Sequence, residues 1–298
     1  IEHCLAPDAG GVTPSDFPLA GLDQAQLDQL AVSAANLEDI YPLSPMQQGM
    51  LFHSLYEQGS GDYLNQMRLD IGGLDPQRFR SAWQATLDAH AILRTGFNWQ
   101  FEQAVQMVMS RVELPFRLLD LRDDPAAKAT LDALAQSELQ QGFELHTAPL
   151  LRLVLAQTNA QDYHLIYTSH HILMDGWSTS QLLGEVLQRY AGQPVTHGPT
   201  QYRDYIGWLL RQDRQASEVF WRDQLACLPA PTLLAQALKP ATRSTGQHDH
   251  YHRLDEHHTQ RLNAFARRHK VTLNTVIQAA WLLLLQRYTG HNGVVFGA

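Results

Sequence analysis

Between residues 170 and 176 the chain reads His170-His171-Ile172-Leu173-Met174-Asp175-Gly176, a histidine pair followed at fixed spacing by an Asp-Gly turn. An imidazole held beside the backbone N–H groups of a helix start can move a proton where an oxyanion develops, a combination suited to acyl transfer. Residues 163 to 172 are rich in β-branched and aromatic types and predict a buried strand. Neighbouring strand side chains point to opposite faces, so one histidine should face a cleft while the other props up the turn. Ser178-Thr179-Ser180-Gln181 then has the form of a capping box, and Leu182, Leu183, Val186, Leu187 and Tyr190 follow at helical spacing. A plain strand-turn-helix junction, with histidines that only satisfy local hydrogen bonds, would give the same pattern.

The elements that must position this junction alternate in type. Ser44-Pro45-Met46-Gln47 predicts a capped helix start with proline at the first helical position, and Asp75-Pro76 opens a second helix carrying Phe79, Trp83 and Leu87 on one face. Residues 92–99, 104–109, 116–121 and 150–157 read as strands and 125–141 as a helix, which predicts an α/β sandwich with helices packed on a sheet. Further on, residues 218–225, 259–269 and 272–289 read as helices and 294–297 as the opening of a strand. Residues 1–38 stand apart as a linker or docking arm, with Gly10, Gly11, Pro14 and Pro18 before a short amphipathic stretch.

Composition narrows the function classes. With 298 residues the chain can bury one large core or two lobes. A net charge of -8 argues against nucleic acid as a partner. Cys4 and Cys227 have no metal-ligand spacing, which suits a reduced, cytoplasmic protein without disulfides, and no apolar run has membrane-spanning length. A zinc site from His164, His170 and His171 fails on distance, because six strand residues at about 3.3 Å each separate the two that share a face. His248, His250, His252, His257 and His258 lie in a polar stretch where a metal site stays open, although solvated histidines are commoner, and no metal is assigned.

The histidine motif resembles the HHxxxDG signature of the condensation domains of non-ribosomal peptide synthetases. Tyr41-Pro42-Leu43-Ser44-Pro45-Met46-Gln47-Gln48-Gly49-Met50-Leu51-Phe52-His53 resembles the opening motif of that family, and His90-Ala91-Ile92-Leu93-Arg94-Thr95-Gly96-Phe97 its second. Tyr202 to Leu209 and Phe220-Trp221 resemble the helical crossing into its second lobe. The resemblance implies a two-lobed, chloramphenicol acetyltransferase-like α/β sandwich with the site between the lobes. It divides the chain into the arm 1–38, a first lobe 39–200, and crossing helices with a partial second lobe 201–298. Because family members run further, the second lobe is expected to be incomplete.

What the resemblance implies chemically is amide formation between a carrier-bound donor thioester and the amine of a carrier-bound acceptor, meeting at His171. His171 would act as general base or as an orienting or charge-stabilising group; an α-amine of reference pKa about 7.7 to 8.0 is already partly neutral near pH 7. Asp175 would be structural and ion-paired with Arg94, His170 would support the loop, Gly176 would admit a close backbone approach, and Trp177 would wall the tunnel or pack in the core. No cofactor would bind directly; substrates would arrive on the phosphopantetheine arms of upstream and downstream peptidyl carrier domains, beside adenylation and epimerization domains. The arm words Ile1-Glu2-His3-Cys4 and Thr13 to Leu19 are similar to the tail after an epimerization domain, and the opening motif resembles members taking a D-configured donor. Dual epimerization and condensation members carry a second histidine pair where this chain has His53-Ser54. A coenzyme A-dependent acetyltransferase, an epimerization domain and a non-catalytic recruitment domain are the alternatives.

Overall fold

The computed structural model describes residues 11–30, 32–56, 63–196, 198, 200–228, 231–238 and 251–297. A three-stranded antiparallel sheet is formed by β1 (Leu37–Pro42), β4 (Val105–Met109) and β3 (Thr95–Asn98), in the order β1-β4-β3. A four-stranded sheet has the order β2-β7-β6-β5, with β2 (Leu64–Gly72), β5 (Phe116–Asp120), β6 (Leu151–Gln157) and β7 (Asp162–His170). Only β5 and β6 run parallel in it, and the helix α4 (Ala127–Gln141) makes that crossover. The predicted α/β architecture is present.

The core follows from sequence periodicity. Helix α3 (Pro76–Ala89) is capped by Asp75, whose carboxylate accepts from the N–H of Gln77 and Arg78, and it buries Phe79, Trp83 and Leu87 on one stripe. Against it lies α5 (Gly176–Tyr190), and the Tyr190 hydroxyl accepts from the backbone N–H of Asp75. Their apolar faces meet Leu153, Leu155, Leu165 and Tyr167 from β6 and β7. Strand β7 is buried along nearly its whole length because it sits between β2 and β6. The predicted strand at 92–99 begins instead as a single 3-10 turn, Ala91–Arg94, and becomes extended only at Thr95.

The described part of the arm packs into the first unit. Phe17, Ala20, Leu22, Leu27 and Leu30, drawn from both sides of and within the short helix α1 (Gln24–Asp28), share a core with Ile40, Val105 and Met107. The words at residues 1–4 lie outside the described residues. The chain divides into two compact units between Gln212 and Asp213. The helix α6 (Tyr202–Leu210), expected to start the crossing, belongs to the first unit because Ile206 packs with Tyr41 and Val108.

The second unit holds α7 (Arg214–Leu225), α8 (Leu234–Ala237), α9 (Glu256–Arg268) and α10 (Leu273–Thr289). Residues 294–297 form no strand; the Val295 N–H instead donates to Thr232 Oγ1 at 2.9 Å. No helix among the described residues is long and apolar enough to cross a membrane.

Candidate functional site

The site is built where β7 ends. The His170 N–H donates to Leu150 O at 3.0 Å, on the β6 side, while the His171 N–H donates to Tyr63 O at 2.8 Å, on the β2 side. Each histidine is thus pinned by a different neighbour, and the two rings enter different surroundings. The chain then turns, with the Leu173 N–H returning to His170 O at 3.2 Å, and α5 begins at Gly176.

His170 is the prop. Its ring is buried, Nδ1 accepts from the Ile172 backbone N–H at 3.1 Å, and Nε2 lies 3.3 Å from Ser54 Oγ on α2 (Pro45–Tyr56). Burial, with a smaller contribution from the charge of His171, pushes its pKa down to about 4, so near neutral pH it is uncharged. With Nδ1 accepting, the single ring proton sits on Nε2 and is donated to Ser54. A serine rather than a second histidine at position 54 therefore has a structural consequence, since Ser54 is the partner of the buried ring.

His171 lies on the other side, partly buried, and lines a cavity of about 1180 Å³. Other walls come from Met50 and His53 of α2, Leu93 of the second motif, Gln181 of α5 and Tyr205 of α6. His90 and Glu185 complete one side, their side chains 2.7 Å apart, and Arg189 holds the other oxygen of Glu185 at 2.9 Å. The Nδ1 atom of His171 stands 2.9 Å from Nδ2 of Asn65, a residue of β2. Asn65 pairs in register with Ser169 and is therefore diagonal to His171 across the ladder.

The turn is braced from beneath by two glutamines. Gln47 and Gln106 are both buried and exchange hydrogen bonds at 3.2 and 3.0 Å. Gln47 also donates to Ile172 O at 3.4 Å, and Gln106 donates to Pro42 O at 2.9 Å. Gln47 additionally closes the predicted capping box, its Oε1 accepting from the Ser44 N–H while Ser44 Oγ accepts from its own N–H.

The expected ion pair and the expected helix cap are corrected. Arg94 and Asp175 are not an ion pair. Arg94 donates from Nη1 to Glu38 Oε2 at 2.6 Å and to the carbonyl of Met109, because the 3-10 turn that carries it faces the β1–β4 edge. Asp175 is exposed and is itself the N-cap of α5, accepting from the Ser178 N–H at 2.8 Å. That bond and the Ser178 side chain hold its carboxyl below the usual range. The helix start expected to face an outside anion is thus capped by the chain's own carboxylate, three residues earlier than the predicted Ser178 box. Trp177 is 81% exposed and absent from the cavity wall, and a Cβ on Gly176 would meet no atom within 4 Å.

The ring of His164 is held by Asp70 at 2.6 Å and by Arg68 at 3.1 Å, both on β2. Of the polar histidine stretch, His248 and His250 fall outside the described residues. Among the described residues, Asp255, His257 and His258 bring ligand atoms together, but all three are exposed at the start of α9, where Asp255 serves as N-cap. Asn65, Ser54 and Glu38 carry no recognisable signal in the sequence, and the spacing at Gln47 predicts only a cap.

The family model described as Condensation domain matches residues 37–298. The chain is 42% identical over 309 residues to a linear gramicidin synthase polypeptide of Brevibacillus parabrevis, covering 100% of this chain and 4% of that protein. It is 38% identical over 311 residues to a mycosubtilin synthase polypeptide of Bacillus subtilis, covering 100% of this chain and 12% of that one. The chain thus spans a small part of the length of these relatives. The condensation domain of the Monacolin K polyketide synthase MokA superposes with a TM-score of 0.69 at 23% identity, over 86% of this chain and 61% of that one. A four-domain nonribosomal peptide synthetase bound to AMP and glycine gives a TM-score of 0.67 at 22% identity, over 85% of this chain and 20% of that one.

Proposed function

The chain belongs to the condensation domain family, and from that premise we propose that it joins a carrier-bound peptidyl or aminoacyl thioester to the amine of a carrier-bound aminoacyl acceptor. The observation that carries the reading is His171 on the wall of a cavity large enough for two tethered substrates, with its partner histidine buried as support. The amine nitrogen attacks the thioester carbonyl, the C–N bond forms, the C–S bond breaks, and the proton lost by nitrogen leaves with the phosphopantetheine thiol. His171 contacts the reacting atoms. Much of the rate comes from holding both reactants in attack geometry, which the cavity does by excluding other orientations.

The substrates arrive on phosphopantetheine arms of upstream and downstream carrier domains, so no cofactor need bind the chain itself. Adenylation domains that load those carriers are the expected neighbours, and the work is cytoplasmic. The donor is D-configured and follows an epimerization domain. Supporting this finer reading are the form of the opening motif, Ser44 to His53, and the arm segment Thr13 to Leu19, which resembles a post-epimerization tail.

The test is transfer between carriers, followed by intact-protein mass spectrometry in a carrier–condensation–carrier polypeptide bearing this chain. Donors ending in D- and L-residues are compared with an aminoacyl acceptor. Product from the D-donor that falls about a hundredfold or more in His171→Ala is expected. Equal rates for both donors would remove the stereochemical part of the proposal. Consumption of a small acyl-coenzyme A without carrier transfer would replace condensation by acetyl transfer.

A further inference from the structure

We propose that Asn65 is a positioning residue that fixes the ring tautomer of His171, keeping the proton on Nε2 so that the histidine meets its substrate as a hydrogen-bond donor rather than as a base. The inference rests on the condensation reading for its catalytic consequence, but not for its geometry. Nδ2 of an asparagine can only donate, and it lies 2.9 Å from Nδ1 of His171. Nδ1 must then supply the lone pair, and the neutral ring carries its proton on Nε2. Three features hold the arrangement. The His171 N–H is tied to Tyr63 O, Asn65 is fixed in the β2–β7 ladder opposite Ser169, and the residue after the ring is braced through its carbonyl by Gln47.

A donor at Nε2 matches the chemistry. The attacking amine is partly neutral near pH 7 and needs little help from a base, whereas the thioester oxygen gains negative charge as nitrogen adds. The helix start that could have met that charge is taken by Asp175. An N–H from His171 supplies the missing donor, and the amine proton departs with the thiol as the C–S bond breaks.

Two substitutions separate the roles. In Asn65→Asp the carboxylate can only accept, so it recruits the proton to Nδ1 and leaves a lone pair on Nε2. Asn65→Leu removes the restraint and lets both tautomers populate. The side chain is exposed, so both variants keep the fold, which their thermal unfolding checks. Two-bond 1H–15N correlation spectra of the histidine rings should show His171 as the Nε2–H tautomer in the native chain, the Nδ1–H tautomer in Asn65→Asp and a mixture in Asn65→Leu. Transfer between D-peptidyl and aminoacyl carriers should fall about a hundredfold in Asn65→Asp, because Nε2 then presents a lone pair where the developing oxyanion needs a donor. A native Nδ1–H tautomer, spectra indifferent to Asn65, or an Asn65→Asp rate equal to the native one would overturn the proposal. Tautomers that change as described with no carrier transfer in the native chain would instead overturn the condensation reading and leave the control of His171 by Asn65 standing.

Discussion

At the scale of single residues, adjacency in sequence does not mean shared chemistry. His170 and His171 are neighbours, yet one is sealed in the core and the other lines a cavity. The buried ring makes stability depend on pH in a known direction. Its folded pKa of about 4 lies below the ordinary value of 6.5, so between those limits the unfolded chain binds more protons. Stability therefore falls as pH drops from 6.5 towards 4, by on the order of 3 kcal/mol in all. Urea midpoints at pH 7 and pH 4.5 should differ in the native chain beyond the general acid effect, and His170→Gln, which cannot titrate, should reduce that difference. Arg94 gives a second residue-level expectation. A double-mutant cycle between Arg94→Met and Asp175→Asn should show coupling near zero, since the two side chains have separate partners. The cycle with Glu38→Gln should show about 1 kcal/mol, modest because Glu38 is 44% exposed.

At the scale of elements, the site is a junction of parts remote in sequence, held by polar groups that have no water to fall back on. Gln47 of α2 links Gln106 of β4 to the Ile172 carbonyl of the histidine turn. Gln47→Leu should cost about 2 kcal/mol by leaving those groups unpaired. It should also speed hydrogen exchange at Leu173, the amide bonded across the turn, while β3 amides stay protected. How much of this was legible depends on what each element needs from its surroundings. Strand β7 and helix α5 could be read because a fully buried strand must be apolar and a half-buried helix must repeat Leu182, Val186 and Tyr190 at helical spacing. Strand β2 could not. As an edge strand it buries little, and Leu64-Asn65-Gln66-Met67-Arg68 mixes polar and apolar types without a clean alternation. The partner of His171 was hidden for that reason. The Arg94 ion pair was misplaced for another, because direction after a 3-10 turn is set by tertiary packing rather than by spacing.

At the scale of the whole chain, the two units differ in how they are stabilised. The first unit buries Trp83, Tyr167, Phe97 and the leucines of β6 in one continuous core. In the second, the buried apolar side chains among the described residues are Ala266 and Leu285, while Phe220, Trp221, Ile277, Leu283 and Tyr288 are exposed. Helix α10 is apolar around much of its circumference, a pattern that belongs to a helix covered on several sides. At about 25 cal/mol for each Å² of apolar surface, such uncovered faces forgo much of the stabilisation that burial supplies. Besides the packing of α10 against α8 and α9, caps stabilise these helices, Thr272 on α10 and Asp255 on α9. Local opening should accordingly be far easier there than in the first unit. Native-state hydrogen exchange should find amides of β6 and β7 exchanging only through global unfolding, with a strong urea dependence. Those of α9 and α10 should open with several kcal/mol less free energy and little urea dependence. Equal protection in β7 and α10 would mean that the second unit is held by contacts its own described residues do not supply.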